Sequence, residues 1–189
     1  MNVFDIPELT ITEEFREQVV LDAMTLNKCT PFTSNVQGSN KLQGTGAVWF
    51  PEDKQYFESV YEQFILKPEV MYLFFMDIGY NAEPHIDSEA YKLEKHGGDS
   101  ISPHFSADSY AGLRKTVVQI PLTPTGDDYA RLTYQNEFKA WTDHAFAFTV
   151  EELHGVDVTK HMRLNLQIPF NIPIKELYQI YKSGNLVRT

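Results

Sequence analysis

Residues 162–168 (MRLNLQI) alternate without a break, with Leu164, Leu166 and Ile168 on one side of a strand and Arg163, Asn165 and Gln167 on the other. A period of two sustained over seven residues commits the segment to a β-sheet with one apolar face. The arginine opposite that face needs an inward partner, because burying a lone charge is costly. A carboxylate suits it, since the guanidinium fork matches carboxylate geometry in a bidentate way. That carboxylate belongs either to a bound ligand or to one of the chain's own acidic residues.

The rest of the pattern sets the architecture around this strand. Aromatic and β-branched runs predict further strands at 70–80, 114–122, 129–134 and 145–149, with turn chemistry at Thr125-Gly126-Asp127-Asp128. Thr12 is placed to cap a helix that carries Glu13 and Glu14 in its first turn and Phe15, Val19, Val20, Ala23 and Met24 at helical spacing. Pro51 suits the start of a second helix with Tyr56, Phe57, Val60, Tyr61 and Phe64 as its apolar stripe. Pro173 opens a short terminal helix through Ile174, Leu177, Tyr178 and Tyr181, stopped at Gly184. Residues 29–46 and 88–112 read as long polar loops, the second a candidate lid.

Helices ahead of a run of short strands, without βα alternation, predict a mainly β chain with flanking helices: a double-stranded β-helix, the cupin-like jelly roll, with room for a ligand between two sheets. We expect one domain over 1–189, comprising a helical N-terminal buttress (1–69), a jelly-roll core (70–170) and a C-terminal helix (171–189). The 13 Phe and 10 Tyr can fill such a core. A formal net charge of −10 argues against nucleic acid or an anionic membrane as the main partner, since both need basic patches. Cys29 is the only cysteine, which rules out an intrachain disulfide and a cysteine-built zinc site and is compatible with a reducing cytoplasm. The N-terminus lacks a basic region followed by an apolar run, and no stretch approaches membrane-spanning length, so a soluble, unprocessed cytoplasmic protein is expected.

The chemistry concentrates at Pro84-His85-Ile86-Asp87. At the end of a strand, alternation puts His85 and Asp87 on one face, where an imidazole and a carboxylate can share a centre. They make up two-thirds of a 2-His-1-carboxylate triad, which binds iron(II) and leaves positions open. His154, after the apolar run 145–150 and nine residues before Arg163, is the candidate third ligand. His96, His104, His144 and His161, taken singly, read as ordinary surface or hydrogen-bonded histidines.

H-x-D, a distal histidine and an arginine about one strand later resemble the iron(II)- and 2-oxoglutarate-dependent dioxygenases, in their prolyl-4-hydroxylase-like branch. GYNAEPHID at 79–87 is similar to that branch's glycine-containing approach to H-x-D, RKTVV at 114–118 to its next strand, 141–156 to its strand-then-histidine segment, and VTKHMRLNLQIPF at 158–170 to its closing strand. The resemblance spans roughly residues 70–170. It implies that His85, Asp87 and His154 bind iron, that Arg163 holds the distal carboxylate of 2-oxoglutarate, and that O₂ takes the remaining position, the keto acid leaving as succinate and CO₂. Family halogenases carry a small residue in place of Asp87, so its presence implies hydroxylation. Where many relatives have a tyrosine contacting 2-oxoglutarate this chain has Met76, with Tyr72 or Tyr80 as possible substitutes, and His161 stands where relatives often have glycine.

Substrate contacts are expected from Arg131, Asn165, Trp141 and His104, with Gln167 on the same face as Asn165. The substrate expected is a free amino acid or other small polar metabolite. The alternatives are a peptide or protein prolyl hydroxylase of the same family, a cupin-like metal-binding protein without 2-oxoglutarate, and a non-catalytic β-sandwich binding module.

Overall fold

The structure, a computed structural model, describes residues 1–25, 30–32, 46–49, 54–76, 78, 82–85, 115–123, 132–134, 137–139, 144–157 and 160–188. In chain order the elements are β1 (Val3–Ile6), α1 (Glu13–Thr25), β2 (Thr30–Phe32), β3 (Gly46–Trp49), α2 (Glu58–Tyr61), β4 (Tyr72–Met76), β5 (Ala82–His85), β6 (Thr116–Pro121), β7 (Leu132–Tyr134), β8 (Glu137–Lys139), β9 (Ala145–Thr149), β10 (His154–Val156), β11 (Arg163–Phe170) and α3 (Ile174–Lys182). Among the described residues these strands build a seven-stranded sheet, ordered β1-β9-β6-β11-β4-β3-β2, and a four-stranded sheet, ordered β5-β10-β7-β8. All the pairings are antiparallel.

The alternating strand lies at the centre of the larger sheet, between β6 and β4, and is buried along its whole length. Its Leu164, Leu166 and Ile168 join Leu73, Val118, Ile120, Ala145 and Ala147 in the main apolar core. Val19 of α1, Val60 of α2 and Ile174 and Leu177 of α3 belong to the same core, so the helices cover this outer face. The inner face meets the smaller sheet through two apolar clusters. Leu132 packs among Val117, Phe146, Phe148 and Val150, and Val156 packs with Phe74 and Met76. The result is the two-layer jelly roll that the strand pattern predicted.

Local signals explain the helix ends. The Phe15 amide donates to Thr12 Oγ1 at 3.2 Å, and Glu13 and Glu14 sit in the first turn of α1. Pro173 occupies the N-cap position of α3, its carbonyl accepting from the Glu176 and Leu177 amides, and Gly184 ends the helix with φ +73°, in the left-handed region that glycine enters without steric cost. Beside it, the Tyr181 hydroxyl donates to Glu8 at 2.9 Å; burial first, and that carboxylate second, push its phenol up to about 12.

Three expectations change. The N-terminal part is not helical throughout, because β1 pairs with β9 and extends the larger sheet. The ends of the 29–46 segment form strands, β2 pairing with β3 and β3 with β4, so edge pairing overrides the Thr- and Gly-rich composition there. The second helix is short: a 3₁₀ turn at Lys54–Phe57 leads into the single turn of α2. Phe64 then bridges to Val187 instead of continuing the helix. The candidate lid at 88–112, the rest of 29–46 and the turn at 125–128 lie outside the described residues. Among the described residues no helix is long and apolar enough to cross a membrane.

Candidate metal and co-substrate site

His154 opens β10, between β5 and β7 in the smaller sheet. Its ring is 5 % exposed and lies 5.9 Å from the ring of Phe148, which belongs to the inner face of the larger sheet. The imidazole therefore sits in the space between the layers. Nδ1 is 2.9 Å from the Glu152 carbonyl oxygen. A carbonyl can only accept, so Nδ1 carries the proton and donates, which in the neutral tautomer leaves the lone pair on Nε2. This is the arrangement that orients a metal-ligating histidine and fixes its tautomer.

The register of β10 against β5 pairs His154 with His85. Directly opposed positions in an antiparallel pair are cross-strand neighbours on one face of the sheet. Val156 pairs with Ala82, so two steps along β10 match three along β5. The extra residue is a β-bulge in the stretch of Glu83 and Pro84. A proline has no N–H to give a ladder and is tolerated at a bulge, and bulges turn strands next to functional sites. Asp87 lies outside the described residues, and of His85 only the backbone is described. Among the described residues no group of three potential ligands is assembled.

On the facing sheet, Arg163, Asn165 and Gln167 are all buried, Arg163 to 2 % exposure and Asn165 to 0 %. They point away from the Leu164–Ile168 core, as the alternation predicted. Arg163 is opposite Met76 on β4, Asn165 opposite Phe74 and Gln167 opposite Tyr72. Tyr72 donates its hydroxyl to Gln167 Oε1 at 2.6 Å, and Gln167 Nε2 donates to Gln119 Oε1 at 3.2 Å. This Tyr72–Gln167–Gln119 chain uses the tyrosine's one O–H donor. Tyr72 was expected to reach 2-oxoglutarate; here its proton is directed to the sheet.

The two layers can be compared in depth. His154 and Val156 share a face of β10, about 6.6 Å apart. His154 touches Phe148, while Val156 packs with Phe74 and Met76, the neighbours of Asn165 and Arg163. Val156, two residues on from His154, thus lies on the side of the inter-sheet space that holds Met76, the cross-strand neighbour of Arg163. A ligand chelating a metal at His154 and carrying a carboxylate at its far end would extend toward Arg163. The donor set fits iron(II) and a dicarboxylic 2-oxo acid: an imidazole Nε2, a second histidine in register, and a buried guanidinium on the facing sheet.

Of the other sequence candidates, Tyr80, Arg131, Trp141 and His104 lie outside the described residues. His144 is at the start of β9, 3.4 Å from Asp5, and His161 is exposed. Sequence reading did not find the Glu152 carbonyl, the Phe148 wall or Gln119. The carbonyl has no side-chain signature, and the other two acquire their roles only through strand register.

No protein-family model and no curated protein sequence matches the chain. Solved structures do. The chain is similar to a prolyl hydroxylase from Trichoplax adhaerens in complex with a hypoxia inducible factor peptide fragment, at 14 % identity and TM-score 0.58, covering 94 % of this chain and 86 % of that one. It is similar to a Pseudomonas putida prolyl-4-hydroxylase at 12 % identity and TM-score 0.50, covering 89 % and 92 %. A third similar structure is the non-heme alpha ketoglutarate dependent epimerase SnoN from nogalamycin biosynthesis, at 10 % identity and TM-score 0.52, covering 89 % and 77 %. The chain has the double-stranded β-helix fold of these prolyl hydroxylases and of a 2-oxoglutarate-dependent epimerase.

Proposed function

We propose that this protein is an iron(II)- and 2-oxoglutarate-dependent dioxygenase that hydroxylates an unactivated C–H bond of a free amino acid or small polar metabolite. His85, Asp87 and His154 would hold the iron, and Arg163 the distal carboxylate of 2-oxoglutarate. One juxtaposition carries the reading: an inter-sheet histidine, with Nε2 as its lone-pair nitrogen and His85 opposite it in register, faces a sheet that presents a buried arginine.

When bound, the iron and keto acid supply O₂ activation, in which 2-oxoglutarate leaves as succinate and CO₂ and one oxygen atom goes to the substrate. The protein's part is positional. The Glu152 carbonyl holds the His154 ring in one tautomer. Phe148, Met76, Phe74 and Val156 wall the space with apolar surface and exclude water, which strengthens the hold of Arg163 on a carboxylate. Arg131, Trp141 and His104 are the proposed substrate contacts.

The test is succinate release with iron(II), 2-oxoglutarate and O₂ across the free amino acids and a panel of polar metabolites. Substrate-stimulated succinate in the native protein, lost in His154→Ala, supports the reading; none with any compound counts against it. A peptidyl substrate is the second reading, favoured by the peptide seated in the Trichoplax structure. Proline-containing peptides belong in the same screen.

A further inference from the structure

Gln119 is a buried inner-face residue to which the proposed metal and 2-oxoglutarate contacts give no role. It lies on β6 between Val118 and Ile120, which enter the outer core, so its own side chain faces the smaller sheet. It is 4 % exposed. Tyr72 donates to Gln167 Oε1 and Gln167 Nε2 donates to Gln119 Oε1, so every donor in the chain points the same way. The chain ends on Gln119 Nε2, from which no described residue accepts. Phe146 across one strand, and Val117 and Pro121 along its own, have side chains without an acceptor; Gln167, across the other strand, has its oxygen taken by Tyr72. Buried N–H groups are rarely left unpaired, and each donation upstream strengthens the next. A polarised donor is therefore aimed at the inter-sheet space.

Position and surroundings select the acceptor. Gln167, level with Gln119, is four residues or about 13 Å from Arg163 along β11, so the Gln119 amide stands away from the arginine end. On its other side the Phe146 ring is 6.0 Å from that of Phe148, which is 5.9 Å from the His154 ring. The amide opens on the histidine end of the space, where a substrate has to reach the metal. The side chains around it, Val117, Leu132, Phe146 and Phe148, are apolar. A carboxylate there would lose its water and meet only a neutral donor, which is costly; an uncharged carbonyl oxygen loses far less.

Resting on the proposed function, the geometry assigns Gln119 as a residue that binds the primary substrate, its Nε2 donating to an uncharged amide carbonyl oxygen of the compound to be hydroxylated. The substrate class narrows to small molecules that carry an amide. A peptide bond offers the same acceptor, and the test separates the two sources.

Gln119→Met removes the donor at similar volume, and Gln119→Glu keeps an oxygen for Gln167 while removing both N–H groups. Native protein and both variants are compared in succinate release with iron(II), 2-oxoglutarate and O₂, and in calorimetric titration of 2-oxoglutarate with Mn(II) in place of iron. The compounds are asparagine, glutamine and the primary amides of the other amino acids, each beside its carboxylate counterpart, together with proline-containing peptides. We expect at least one small amide to stimulate succinate release in the native protein and its carboxylate counterpart to fail. Both variants should raise KM for that amide about tenfold or more, with 2-oxoglutarate affinity kept. Should one variant not fold, the other carries the comparison, and the preference for amide over carboxylate is read on the native protein. An unchanged KM, a parallel loss of 2-oxoglutarate affinity, or stimulation by carboxylates or peptides alone overturns the assignment while leaving the proposed function standing. Binding of 2-oxoglutarate without stimulation by any amide also overturns the assignment, and failure of the native protein to bind 2-oxoglutarate overturns both.

Discussion

The two faces of β11 are equally buried and chemically opposite. Leu164, Leu166 and Ile168 join a continuous apolar core beneath three helices, and their presence is accounted for by the stability they give. Arg163, Asn165 and Gln167 are shielded from water to a similar degree, yet each carries polar groups whose burial is costly. The difference shows that burial alone does not separate structure from function on this strand. The outer face holds the fold together. On the inner face Gln167 is held by Tyr72 and Gln119, and Arg163 is the residue that the proposed function assigns to a ligand.

The comparison can be tested one face at a time. The largest effect is expected on the outer face, where Leu166→Ala should lower unfolding free energy by about 2–5 kcal/mol in denaturant titration. Affinity of the folded variant for 2-oxoglutarate should stay at the native value, and a parallel loss of affinity would blur the division between faces. On the inner face, Arg163→Ala should weaken 2-oxoglutarate binding by about a hundredfold, or about 2.7 kcal/mol, with Mn(II) binding kept. An unchanged 2-oxoglutarate affinity would give the arginine to an internal ion pair and favour a cupin-like metal protein. The smallest effect is expected within the Tyr72–Gln167–Gln119 chain. Tyr72→Phe removes the donor to Gln167 and should cost about 1–2 kcal/mol of stability, because a buried amide oxygen loses its partner. If it instead cuts 2-oxoglutarate affinity more than stability, Tyr72 is a ligand contact after all.

What could be read from the sequence divides along the same physical line. The alternation at 162–168, the Thr12 cap and the Pro173 and Gly184 signals are local, and each appears in the structure where the residues predicted it. The N-terminal strand was not legible, because its four residues become a strand only by pairing with β9, more than a hundred residues away. The shortened second helix has the same origin, since Phe64 is diverted by a bridge to Val187.

At the site, the pairing of His85 with His154 was anticipated as a shared centre but not as strand register, and the bulge at Glu83 and Pro84 that adjusts it has no clear local code. The donation from His154 to the Glu152 carbonyl is a main-chain contact that no residue type announces. Among the described residues Asn165 has no hydrogen-bond partner, because its cross-strand neighbours are Phe74 and Pro121, which emerges only once the strands are in register.

The central claim is that the space between the two sheets binds a metal at His154 and a dicarboxylic 2-oxo acid reaching toward Arg163. Anaerobic addition of iron(II) to the native protein with 2-oxoglutarate tests it most directly, because chelation of the keto acid by iron gives a weak visible charge-transfer band. The account predicts that the band forms in the native protein and is lost in His154→Ala. No band in the native protein, or an undiminished band in His154→Ala, would contradict it.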